Sequence, residues 1–388
     1  MGAVNLRAVL GLCALCGCGA RAGIDVEDHT PWRFDGGSAP IRVDLDASVD
    51  RALVRPPRLD AGCAGEPLPS PREVREVTAP TRLGPMVLHD PTRQRALVVG
   101  GLPSGGRFTR EVYAVSTTDG RSRPLGSSAV DLPVYTGLAW IDPPRTAIIV
   151  GGTLLGGMWT SRVLRVSVQE DTVQFAPAGE HPGGAVSGVA AVYDPLRGGV
   201  IVQGGEAIDT ADPRPVRATW LVRLAGSETR WERLVSDAES PPLASARVGG
   251  VDPRTGAVVL LGGFTRQGYD RAVWSLSPGP RPRWTRLDGA ADALPRSGDS
   301  LSWDPVGCGF LVVGGRCADQ VWLLRPEGDG IREALLGTVR TNDETVGTGR
   351  LGAGVVFDPA RRTLVMIAGT NCQMSGFTVA SNVVMDLR

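Results

Sequence analysis

The sequence predicts an all-β protein in which six repeated units close into a ring, a six-bladed β-propeller. Three observations carry this reading. An Asp-Pro pair recurs at 90, 142, 194, 252, 304 and 358, a spacing of 52 to 58 residues. A short apolar run ending in small residues, usually two glycines, follows each pair. The last unit is one strand short, while an unclaimed strand pattern precedes the first. Fixed-period units of four short strands are the signature of propeller blades.

The chain opens with a single positive charge, Arg7, and an uncharged apolar stretch over 8–17. That is the length of a signal-peptide core and too short to span a bilayer. It closes on Leu15-Cys16-Gly17-Cys18, which resembles the bacterial lipobox. The resemblance implies a lipoprotein leader over 1–18 with Cys18 as the lipidated residue. Because Gly19 is not the Asp of inner-membrane retention, it also implies an outer-membrane lipoprotein on the periplasmic or cell-surface side. An ordinary secretory leader cut just after Cys18, among small residues, is the alternative.

Residues 19–71 are rich in Asp, Pro, Ala, Gly and Arg without sustained alternation and read as a flexible linker. Within it, 44–50 has acidic spacing reminiscent of a calcium loop. Val49 and Arg55 stand where such a loop needs Gly and Glu, so a solvated linker is the reading.

Residues 72–388 form the repeat domain. Strand a of each unit precedes its Asp-Pro pair, as in Met86-Val87-Leu88 and Val355-Val356-Phe357. Asp before Pro is turn chemistry: the carboxylate caps backbone amides and Pro pre-sets φ. Strand b is continuously apolar, as in Ala147-Ile148-Ile149-Val150, which requires burial on both faces. It ends in Gly100-Gly101, Gly151-Gly152, Gly204-Gly205, Gly262-Gly263 or Gly314-Gly315, with Ala368-Gly369 as the degenerate sixth copy. A third strand carries an aromatic in several units (Tyr113, Trp220, Trp274, Trp322). A fourth is clearest as Arg230-Trp231-Glu232-Arg233-Leu234 and Arg283-Trp284-Thr285-Arg286-Leu287.

The double glycine, the aromatic of the third strand and the Trp of the fourth together resemble the Kelch repeat. The resemblance covers 72–388 and implies a Kelch-type propeller. The N-terminal segment 73–78 is expected to supply the strand that completes the last blade, which leaves no open sheet edge in the ring.

Three of the seven cysteines fall in the leader, leaving Cys63, Cys308, Cys317 and Cys372, an even number suited to an oxidising compartment. Cys308 and Cys317 flank strand b of blade five, roughly 15 Å or more apart at about 3.3 Å per residue, so they are not expected to pair. Strand directions put Cys317 and Cys372 on one face, and Cys308 and the approach from Cys63 on the other. The expected bridges are therefore Cys317 with Cys372 and Cys63 with Cys308. No C-x-x-C spacing supports a metal site instead.

Net charge is zero and every one of the 41 basic residues is Arg. No basic field favours nucleic acid, and lysine-dependent chemistry is excluded. Only His29, His89 and His181 are present, and the four tyrosines (113, 135, 193 and 269) are scattered. The copper constellation of galactose oxidase, which shares this kind of propeller, therefore has no counterpart, and no metal or cofactor is expected. Arg82, Arg296 and Arg350 each stand eight residues before the Asp of their Asp-Pro pair, in blades one, five and six, neighbours once the ring closes. By resemblance to carboxylate-binding Kelch proteins they form a candidate anion-binding arc; packing at blade junctions is the plain alternative. The functional expectation is a monomeric binding protein of the cell envelope, recognising a protein or glycan through its loops, notably 206–217 and 370–381. A sugar epimerase or mutarotase is the alternative.

Overall fold

A computed structural model describes residues 73–77, 80–103, 108–141, 145–207, 217–265, 268–289, 299–314, 320–338, 350–367, 370–371 and 382–387. The expectations on the leader and linker, with Cys18 and Cys63, lie outside these residues, as do Cys317, Cys372 and Arg296. Arg350 is described by its backbone alone.

Six four-stranded antiparallel sheets correspond to the six predicted units. Blade one is Met86–Asp90, Arg95–Val99, Glu111–Ser116 and Ser122–Ser127 as strands a to d, hydrogen-bonded in that order. Blades two to five repeat the order from Gly137–Ile141, Val186–Asp194, Val248–Asp252 and Asp299–Asp304. In blade six, strands a to c are Gly354–Asp358, Thr363–Ile367 and Asn382–Asp386, and the outer strand is Glu73–Val77 from the other end of the domain. Its register runs from Glu73 opposite Asp386 to Val77 opposite Asn382, so the last blade is completed as expected.

The core lies between the blades. Strand b is buried along its whole length in blades one, two and six, as its continuous apolar run requires. Six apolar clusters each join two neighbouring blades. One of them packs Ala96, Val98 and Val115 of blade one against Val356, Val365 and Ile367 of blade six, and so closes the ring. At this seam Gly354 leaves room for Val87 of blade one, whose methyl lies where a Cβ on residue 354 would stand. At the end of strand b, Gly151 has φ +62° and faces the Val186 carbonyl of blade three at a distance that admits no Cβ.

The Asp-Pro turns work largely as predicted. Asp194, Asp252, Asp304 and Asp358 are buried, and each accepts a backbone amide two residues on, at 2.9 to 3.1 Å. Asp90 departs from the pattern. Residues Pro91–Arg93 form a 3-10 turn without a side-chain cap, and the carboxylate instead takes Arg95 Nε at 2.9 Å and Arg145 Nη2 at 2.5 Å.

Arginines from this face clasp the next blade. Arg165 donates to Gly226 O at 3.0 Å, Arg197 to Ser277 O at 2.8 Å and Arg254 to Pro326 O at 3.0 Å. Arg95 reaches Glu170 O and Asp171 in the same sense. Arg145 and Arg362 pair backward, with Asp90 of blade one and Asp304 of blade five. Buried carboxylates need such partners, because an uncompensated charge in an apolar interior costs several kcal/mol, on the order of 3–5.

Candidate functional site

Strand direction divides the ring into two faces. One carries the Asp-Pro turns; the other carries the glycine ends of strands b and the entries to strands a. Arg82 stands at such an entry, as the sequence suggested, and it is 1% exposed. Its Nη1 donates to Gly100 O at 2.9 Å, and its Nη2 to Glu111 Oε2 at 2.6 Å. The guanidinium also lies 5.0 Å from the Tyr113 ring centre. Burial pulls its pKa below the usual arginine value, opposed by Glu111. An incoming anion would have to displace Glu111 to reach it.

Arg247 plays the same part in blade four, and sequence spacing missed it because it stands five residues before its Asp, not eight. Its Nε donates to Gly262 O at 2.9 Å, its Nη2 to Asp270 Oδ2 at 2.6 Å and its Nη1 to Gln203 Oε1 of blade three at 3.2 Å. In both blades a buried guanidinium holds the carbonyl of the first glycine of the pair. It ties that carbonyl to an acid at or just before strand c, so the end of strand b is fixed.

Between blades two, three and four, polar side chains bond across the joints. Thr153 Oγ1 and Ser187 Oγ lie 3.0 Å apart across the first joint, and Ser245 Oγ donates to Glu206 Oε1 at 3.1 Å across the second. From Thr153 rises a hairpin over 153–160, held by a bridge between Thr153 and Trp159 and by Leu154 N donating to Met158 O at 2.7 Å. Gly156 and Gly157, with φ of +89° and +79°, make its turn. Its tip holds Leu155 and Met158 out to solvent, 62% and 65% exposed, more than any other large apolar side chain among the described residues. The run Thr-Leu-Leu-Gly-Gly-Met-Trp-Thr carried this signal, since apolar residues flanking Gly-Gly in a loop have no core to enter.

The histidines are placed apart. His181 is buried edge-on to Trp231, ring centres 5.2 Å apart, and its Nδ1 accepts Gly183 N at 3.1 Å. Burial lowers its pKa to about 4, so it is neutral and carries its proton on Nε2. His89, in strand a of blade one, is likewise pushed below its ordinary value by burial, against the pull of Asp358 and Asp90. Cys308, in the turn of blade five with φ +47°, takes part in a disulfide. All other cysteines lie outside the described residues. No group of three metal-ligating side chains gathers among the described residues.

These observations define a six-bladed β-propeller whose two faces differ: ion pairs between neighbouring blades stitch one, while the other carries the arginine clamps within blades one and four and an exposed apolar hairpin. Comparison with family models and with curated proteins found no match to the chain.

Proposed function

We propose that this chain is a non-enzymatic binding protein of the cell envelope that takes a protein or glycan partner on the face carrying the blade-two hairpin. The observation that carries the reading is the hairpin itself. A rigid scaffold holds Leu155 and Met158 in water at a structured tip, and apolar groups held exposed in this way mark an interaction patch. The reading does not depend on Arg82, whose guanidinium is already engaged within blade one. The arc of Arg82, Arg296 and Arg350 enters only if a ligand releases Glu111.

The finer parts of the proposal rest on sequence. The repeated double glycine and the Trp of strand d support a Kelch-type ring, and the lipobox-like end of the leader supports an anchor at Cys18. Glu73 pairs with Asp386 at the Asp-Pro face, so the chain enters the ring on that side. An anchor preceding it leaves the hairpin face free to meet a partner. The bridges Cys63 with Cys308 and Cys317 with Cys372 complete the proposal.

A photo-crosslinking residue placed at 158 in the full chain, compared with one at 306 on the opposite face, tests it in intact cells. One discrete adduct from position 158 alone is expected; equal labelling from both, or none, contradicts it. Glycan-array binding of the purified chain separates a sugar partner from a protein. Anomer exchange of a reducing sugar followed by NMR would show the epimerase or mutarotase alternative.

A further inference from the structure

Cys308 is disulfide-bonded, and its place in the ring narrows the choice of partner. It stands in the Asp-Pro turn of blade five, directly before strand b, which runs from Gly309 to Gly314 at the opposite face. The turn itself does not need the sulfur. The same left-handed position holds Gly198 in blade three and Gly256 in blade four, at φ +60° and +74° against +47° for Cys308.

Chain reach excludes two of the three cysteines that lie outside the leader. Six residues of strand b separate Cys308 from Gly314, about 20 Å of rise, and Cys317 can return over only three of them, about 10 Å. The remaining gap of roughly 10 Å exceeds the Cα separation of about 7 Å that a disulfide can bridge. Cys372 directly follows Asn371, which pairs with Arg350 at the entry to blade six, on the glycine face. Cys63 remains. It lies ten residues before Glu73, and Glu73 pairs with Asp386 at the Asp-Pro face of blade six, next to blade five. Ten extended residues reach about 33 Å, enough to pass from one blade to its neighbour on the same face.

We propose that Cys63 and Cys308 form a redox-sensitive strap that holds the closing strand Glu73–Val77 in blade six. The strand is then tied down beyond both of its ends. Beyond Val77 the chain is fixed to the ring: Arg82 holds Gly100 O, Leu83 bridges Leu102, and Gly84 N donates to Gly352 O of blade six at 2.9 Å. Beyond Glu73 the bridge is the second anchor. With it closed, a strand that frays from its Glu73 end stays on a short tether, which raises its effective concentration for pairing again. A dithiol opens the strap. One of its thiolates attacks a cysteine sulfur, its second thiol displaces the mixed disulfide, and Cys63 and Cys308 leave as two thiols while the reductant becomes a disulfide. The bridge persists only in an oxidising compartment, which couples completion of the ring to export. The strap rests on the Cys63–Cys308 pairing of the proposed function and is independent of the partner on the hairpin face.

Non-reducing peptide mapping of the full chain reads the bridge, and hydrogen–deuterium exchange reads the strap. A peptide holding Cys63 joined to one holding Cys308 is expected. The amides of 73–77 should exchange at least about tenfold faster in Cys63→Ser, and in the parent treated with dithiol, a factor below the usual effect of a disulfide. The amides of Thr363–Ile367, buried in blade six, should keep their protection. Cys308, 5% exposed, is then a buried thiol, which behaves as a small apolar side chain and leaves the turn intact. Cys308 joined to Cys317 or Cys372 overturns the pairing and with it the strap. A mapped Cys63–Cys308 bridge whose loss leaves exchange at 73–77 unchanged overturns the strap alone, and neither result bears on labelling from position 158.

Discussion

Thr117 Oγ1 donates to Asp358 Oδ2 at 2.8 Å, joining blade one to blade six across 241 residues of sequence. Both groups are buried, Thr117 at 0% and Asp358 at 2% exposure, so the bond is a polar rivet beside the apolar cluster that closes the seam. Thr117→Val keeps the shape and removes the donor. It is expected to lower stability by about 1–2 kcal/mol, the cost of leaving a buried acceptor short of a partner. Equilibrium unfolding in urea measures it; a variant as stable as the parent would show that the seam does not use this bond.

Asp304 and Arg362 make the corresponding contact between blades five and six, with Oδ2 and Nη2 3.0 Å apart and side-chain exposures of 0% and 13%. Asp304→Ala strands the guanidinium and also frees the Val306 amide that the carboxylate caps. A loss of about 3 kcal/mol is expected. The double variant Asp304→Ala/Arg362→Met should regain part of it, because no unpaired charge is left. A double variant no more stable than Asp304→Ala would contradict a pairing role.

Arg82→Met separates the two readings of that residue. As a clamp on Gly100 O and Glu111, Arg82 supports the end of strand b, and its removal should cost about 2 kcal/mol by leaving a buried carbonyl unsatisfied. A variant of unchanged stability that no longer binds a partner taken by the parent chain would instead place Arg82 in a ligand site.

His181 gives the fold a defined acid sensitivity. Burial holds its pKa near 4, against 6.5 for the free side chain. Between those values the unfolded chain binds the proton and the folded chain does not, so stability is complete above pH 6.5 and falls as pH drops toward 4. The full gap corresponds to about 3 kcal/mol. Melting temperatures from pH 7.5 to 4 should fall more steeply for the parent than for His181→Asn, which keeps an acceptor but does not titrate. Parallel curves would show that His181 is not the sensor.

The parts of the fold legible in the sequence are those fixed by local chemistry. Asp194-Pro195 declares its turn because the cap and the fixed φ act within four residues, and Gly151-Gly152 marks a strand end because the backbone there needs positive φ. The closing strand was legible because blade six lacked an outer strand and 73–78 was left over. The clasps were not. Arg145 with Asp90 and Arg362 with Asp304 join residues 55 and 58 apart, and in composition these arginines look like any others. Arg247 escaped notice for a related reason: a long side chain reaches the same glycine carbonyl from a different register, so fixed spacing does not find it. The arginine arc rests on position and on resemblance to carboxylate-binding propellers, and neither says whether a guanidinium is already engaged, as that of Arg82 is.

The account stands most directly on the closure of the ring by Glu73–Val77. Hydrogen–deuterium exchange of the full chain reads it at the amides of that strand. Protection matching that of Asn382–Asp386, its partner in blade six, is the expected result. Exchange of 73–77 within seconds, at the rate of an unpaired segment, would contradict the closed ring.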